Sequence, residues 1–98
     1  MVTINHKNKE LESLLTKGES QSYGRHATKK SFLMALRSFY AILGVLDDIT
    51  DLERYEFLQY KRSLEVSSVL ISASRIQAKL LFKEFDSGSR IEIIDLIF

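Results

Sequence analysis

Charged side chains fall in blocks along this chain, and their spacing is the first pointer to chemistry. Arg25, His26, Lys29, Lys30 and Arg37 crowd the middle of the N-terminal half. An acidic block of Asp47, Asp48, Asp51, Glu53 and Glu56 follows, and then Lys61, Arg62, Arg75, Lys79 and Lys83 restore positive charge. Clustered cations attract phosphate groups even where the total charge is near zero. Here it is +1, from 14 basic and 13 acidic residues. The same groups serve equally as solvated faces, and composition alone leaves both readings open. The chain has no cysteine, which excludes a disulfide framework, a thiolate metal site and a cysteine nucleophile. Its two histidines, His6 and His26, fall in the helical half and read as solvated rather than catalytic.

The elements that must position these groups are readable in the first half. Val2-Thr3-Ile4 alternates and reads as a brief first strand. Asn8 suits a helix cap, with Glu10 and Glu12 in the first turn where acidic groups complement the dipole. Leu11, Leu14 and Leu15 form one apolar stripe, and Gly18 is a natural stop. Residues 19–25 are polar, contain Gly24 and read as a loop. A longer helix is expected over residues 28–46, with Phe32, Leu36, Phe39, Leu43 and Leu46 as its buried stripe. Lys29, Lys30 and Arg37 lie off that stripe. Thr50-Asp51-Leu52-Glu53 has the form of a capping box for one further turn.

The second half supports two readings. Residues 57–60 and 64–71 read as strands around a turn at Lys61-Arg62-Ser63, and residues 72–74 as a turn into a strand over 75–82. There Ile76, Ala78, Leu80 and Phe82 alternate with Arg75, Gln77, Lys79 and Leu81, the pattern of a strand with one buried face. Yet Val66, Val69, Leu70, Ala73, Ile76 and Leu80 also recur at helical spacing, which leaves an all-helical adaptor or immunity-type protein open. Asp86-Ser87-Gly88-Ser89 is a turn signal. The β-branched run that follows it, residues 90–98, reads as the middle of a sheet.

The bulk numbers set a frame. Ninety-eight residues make one domain, spanning residues 1–98. The opening residues are polar and charged, unlike a signal peptide, and no apolar run approaches the roughly 18 residues that span a bilayer. A cytoplasmic setting is expected.

The order of these elements resembles the RelE/ParE toxin superfamily, and within it the HigB-like "killer protein" branch. The resemblance runs along Asn5-His6-Lys7-Asn8-Lys9-Glu10-Leu11 to Lys17-Gly18, then Ala35-Leu36 to Leu46 and Ile49-Thr50-Asp51-Leu52. It resumes at Ala73-Ser74-Arg75-Ile76 to Phe82 and closes with Ile91-Glu92-Ile93-Ile94-Asp95. It implies an α+β fold of two N-terminal helices packed on a twisted antiparallel sheet. It implies a growth-inhibiting toxin of a type II toxin–antitoxin system that cleaves ribosome-bound mRNA without metal or cofactor. The partner would be a cognate antitoxin, of helix-turn-helix type. Lys61, at the end of a second strand, would contact the scissile phosphate or share in proton transfer, and Arg75, opening a fourth, would fork a phosphate. Asp95 would match the acidic residue of the closing motif. Arg62, Lys79, Arg25, Lys29 and Lys30 would be further RNA contacts. Two departures stand out: the family's Tyr and His after the acid are Leu96 and Ile97, and its usual glycine is Arg62. They favour an alternative, a RelE-fold interaction protein without nuclease activity, degenerate or inhibiting a protein target as ParE-like members do. The apolar last strand would be covered by an antitoxin segment, a second copy of the chain, or the two helices.

Overall fold

A computed structural model of the chain describes residues 2–17, 29–73 and 75–98. The elements are strand β1 (Thr3–His6), helix α1 (Lys9–Lys17), helix α2 (Lys30–Val45), two short 3-10 turns (Ile49–Arg54 and Glu56–Leu58), strand β2 (Ser67–Ala73), strand β3 (Ile76–Phe85), a third 3-10 turn (Asp86–Gly88) and strand β4 (Arg90–Ile97). The fold is α+β, with helices packed on one face of a four-stranded sheet of order β1-β4-β3-β2. The all-helical reading is thereby overturned. Between residues 66 and 80 the period-two pattern prevails, because Val69, Ile71, Ala78 and Leu80 all reach the core from two paired strands.

The sheet is mixed rather than wholly antiparallel. β1 runs parallel to β4, with Ile4 opposite Ile91 and His6 opposite Ile93. The crossover between two parallel neighbours has to pass over a sheet face, and here it carries both helices. The last strand is central, as its β-branched composition implies, with β1 on one side and β3 on the other. It holds Ile91, Ile93 and Leu96 in the core beneath Phe32, Leu36, Phe39 and Leu43 of α2 and Leu11, Leu14 and Leu15 of α1.

Local details follow from the sequence with three corrections. Asn8 caps α1 as expected, its Oδ1 accepting the amides of Glu10 at 3.0 Å and Leu11 at 3.3 Å. The stop expected at Gly18 lies outside the described residues. The capping box sits two residues earlier than Thr50/Glu53. Asp48 Oδ1 accepts from the Thr50 amide at 2.8 Å and from its hydroxyl at 2.6 Å, and Asp51 Oδ2 accepts from the Asp48 amide. Asp48 has the extended backbone that an N-cap needs, whereas Thr50 already lies inside the turn. Residues 57–60 are not a strand. Glu56–Leu58 makes a single turn that buries Leu58 and leaves Phe57 exposed, and Gln59 ends it in the left-handed region at φ 44°. Finally, β2 starts at Ser67 rather than at residue 64, and it includes Ser72 and Ala73 of the expected turn, whose last residue lies outside the described ones. Ala73 still pairs with Ile76, the last pair of the β2–β3 ladder.

Candidate nucleic-acid interface

Alternation along paired strands sorts the polar residues of the sheet onto two faces. The inner face carries Ser67, Val69, Ile71, Ala78, Leu80, Phe82, Ile91, Ile93 and Leu96, all buried. The outer face carries Ser68, Leu70 and Ser72 of β2, Gln77, Lys79, Leu81 and Lys83 of β3, and Arg90, Glu92, Asp95 and Ile97 of β4. The described residues leave this face open: Ser72, Gln77, Lys79 and Ile97 are exposed.

Lys61 joins the outer face from outside the regular sheet. Its amide donates to the Ser68 carbonyl and its carbonyl accepts the Ser68 amide, each at 2.9 Å, an isolated antiparallel bridge on the β2 edge. The resemblance implies a strand ending here, and this bridge is all that forms. Ser68 pairs with Leu81, and Leu81 with Asp95. Lys61, Ser68, Leu81 and Asp95 therefore form one row, the two charges separated by three strand spacings, roughly 14 Å.

A bulge makes that row. Leu81 pairs with Asp95 but Phe82 pairs with Ile93, so Ile94 is an extra residue on β4. Without it, alternation from buried Ile93 would turn Asp95 inward and Leu96 outward. With it, Leu96 drops into the core at 4% exposure and Asp95 joins the outer face. Asp95 Oδ1 accepts the Leu96 amide at 2.8 Å.

The remaining expected residues scatter. Lys79 lies on the outer face, opposite Leu70 and Ile97, beside a cleft of about 350 Å³ lined by Leu70, Gln77, Ile97 and Phe98. Arg75 is exposed at the β2–β3 turn, six residues along the strand from Leu81 and so roughly 20 Å from the Lys61–Asp95 row. It borders a smaller cleft with Ile76, Gln77 and Phe98. Lys61, Arg75 and Asp95 therefore do not share one centre. Lys29 and Lys30 are exposed at the start of α2, in the layer behind the sheet. Arg25 lies outside the described residues, as does His26. Arg62 turns away from the outer face, its Nε 2.9 Å from Glu84 Oε1, close enough for ion pairing but without hydrogen-bond alignment.

That Glu84 is the polar feature sequence reasoning missed. Its side chain is 7% exposed, and its Oε2 accepts the Tyr60 hydroxyl at 2.6 Å and the Ser67 hydroxyl at 2.5 Å. Burial, and then the Glu84 carboxylate, push the Tyr60 phenol well above its ordinary range. The available signal was alternation: counting on two residues from buried Phe82, Glu84 points inward, toward Ser67 and the segment that carries Tyr60. His6 departs from the solvated reading as well. It sits on β1 against α2, its ring stacked on Tyr40 at 5.9 Å between centroids and its Nδ1 3.6 Å from Glu12. Burial lowers its pKa, with Glu12 opposing.

Chemically, the outer face offers Lys61, Lys79, Lys83 and Arg90 against Glu92 and Asp95, four cations to two carboxylates, around the apolar Leu70, Leu81 and Ile97. Arg90 is partly occupied: it pairs with Asp86 at 3.0 Å and lies 4.3 Å over the Phe85 ring. Lys83 stands opposite Glu92 in register. Lys61 and Lys79 are exposed cations that none of these pairings engages. A basic face with apolar floor suits a single-stranded nucleic acid, whose phosphates take the cations and whose bases take the floor. Among the described residues, no helix is long and apolar enough to cross a membrane. Comparison with family models, with curated proteins and with solved structures found no match.

Proposed function

We propose that this chain is the toxin component of a type II toxin–antitoxin pair, acting in the cytoplasm on translated mRNA that it holds across the outer sheet face. The observation that carries the reading is the row from Lys61 through Ser68 and Leu81 to Asp95, on the open face of an α+β fold of the kind the family resemblance implies. Lys61 and Lys79 hold phosphate oxygens there. Asp95 and Lys61 are the groups on that row able to exchange a proton with a ribose hydroxyl or the leaving oxygen. Arg75 meets the strand farther along, at the sheet end. The partner is an antitoxin that binds the protein and suppresses its action. Induced expression in cells tests this: growth arrest relieved by the antitoxin, together with new 5′ ends inside translated frames, supports it. Intact mRNA with folded protein present overturns the cleavage.

One observation favours a second reading, an interaction protein without nuclease activity. The residues after Asp95 are Leu96, buried in the core, and Ile97, 50% exposed, and neither side chain transfers a proton. Tight antitoxin binding alongside intact mRNA supports this reading over the first.

A further inference from the structure

We propose that Glu84 is a positioning residue that fixes Lys61 on the outer sheet face, an inference resting on the RNA-binding reading of that face. Consecutive residues of an extended segment point to opposite sides. Tyr60 and Arg62 flank Lys61, and both reach the same buried carboxylate: Tyr60 through its hydroxyl at 2.6 Å, Arg62 through its Nε at 2.9 Å. Ser67, the first residue of β2, donates to the same Oε2 at 2.5 Å. The Tyr60 ring is stacked on Phe82, 6.2 Å between centroids and 7° from parallel, which fixes it over the core. With its two neighbours drawn inward, Lys61 is left facing outward, and its backbone closes two bonds to Ser68.

Little else among the described residues holds this segment. It follows a left-handed Gln59 and precedes a bend at residues 64 and 65, and it meets the sheet edge through the Lys61–Ser68 bridge and a 3.3 Å bond from the Ser63 amide to Ser67 Oγ. A carboxylate buried this deeply requires partners for its charge, and all three lie at the ends of the loop that it gathers. Glu84 thus couples the inner-face cluster to the position of a cation on the opposite face.

Hydrogen exchange and RNA binding test the inference together. In Glu84→Ala, protection of the Lys61 and Ser68 amides falls by at least about tenfold, the scale of a lost charged hydrogen bond. The amides of Leu36 and Ile91 keep theirs. Glu84→Gln, which keeps the shape and one acceptor, falls between. Binding of a short fluorescent oligo-uridine weakens in Glu84→Ala about as much as in Lys61→Ala, and the double variant is no weaker than either, the non-additivity of residues acting through one contact. Should Glu84→Ala not fold, Tyr60→Phe removes one hydroxyl donor to Glu84, leaves the Ser63–Ser67 bond in place, and carries the same expectations at smaller size. Unchanged protection at Lys61 and Ser68, or additive losses of binding, overturns the positioning role. If Lys61→Ala itself leaves oligo-uridine binding unchanged, the RNA reading fails, while the exchange result still decides whether Glu84 positions Lys61.

Discussion

Lys61 and Ser68 exchange two backbone hydrogen bonds of 2.9 Å, and through this one bridge Lys61 comes into line with Asp95 across β2, β3 and β4. The bridge converts a loop cation into a fixed feature of the sheet surface. A lysine in that place contributes charge rather than shape, since its ammonium is a compact, hydrated point charge.

Lys61→Ala is therefore expected to weaken binding of single-stranded RNA and to lower the salt slope of binding by about one phosphate contact. Lys61→Arg keeps the slope. Fluorescence anisotropy of a labelled oligonucleotide at several salt concentrations measures both. An unchanged slope in Lys61→Ala places the phosphate contact elsewhere.

The turn before β4 depends on Gly88. Its φ is 92°, and a Cβ there would stand 2.8 Å from Asp48 Oδ1 and 2.9 Å from Ile49 Cγ2. Gly88→Ala combines backbone strain with a clash against the Asp48 cap and is expected to cost about 1–3 kcal/mol. Gly44, near the end of α2, is different: a Cβ added there would meet nothing within 4 Å. Gly44→Ala should raise stability by about 0.5–1 kcal/mol through helix propensity. Urea unfolding of both variants reads the opposite signs.

How much of the structure is legible in the sequence differs by element. The stripe of Phe32, Leu36, Phe39 and Leu43 is readable because a helix buries residues at fixed local spacing. The central place of residues 90–97 is readable because a β-branched run needs cover on both sides. Asp95 and Leu96 cannot be placed that way, because a single bulge at Ile94 reverses which of them faces the core, and no local pattern marks it. Residues 57–60 mislead because a short apolar run fits a strand or one helical turn equally, and the left-handed Gln59 decides it. The Glu84 cluster joins side chains 17 and 24 residues apart in sequence, so it depends on tertiary pairing.

His6 gives the fold a pH dependence of known sign. Burial favours its neutral form, so the folded state holds its pKa below the ordinary 6.5 despite Glu12 at 3.6 Å. The unfolded chain then binds the proton more readily, and stability is full above 6.5 and falls as pH drops through and below it. His6→Gln is expected to flatten the change in urea midpoint between about pH 7.5 and about pH 5.5, and Glu12→Gln to steepen it. Equal slopes in wild type and His6→Gln contradict the assignment.

The use of the outer sheet face for RNA is tested most directly by amide chemical-shift mapping during titration with single-stranded RNA. The expected result is perturbation concentrated at Lys61, Ser68, Leu70, Lys79, Leu81 and Asp95, with the amides of α1 and α2 unmoved. Perturbation confined to the helical layer, or none at saturating RNA, contradicts it.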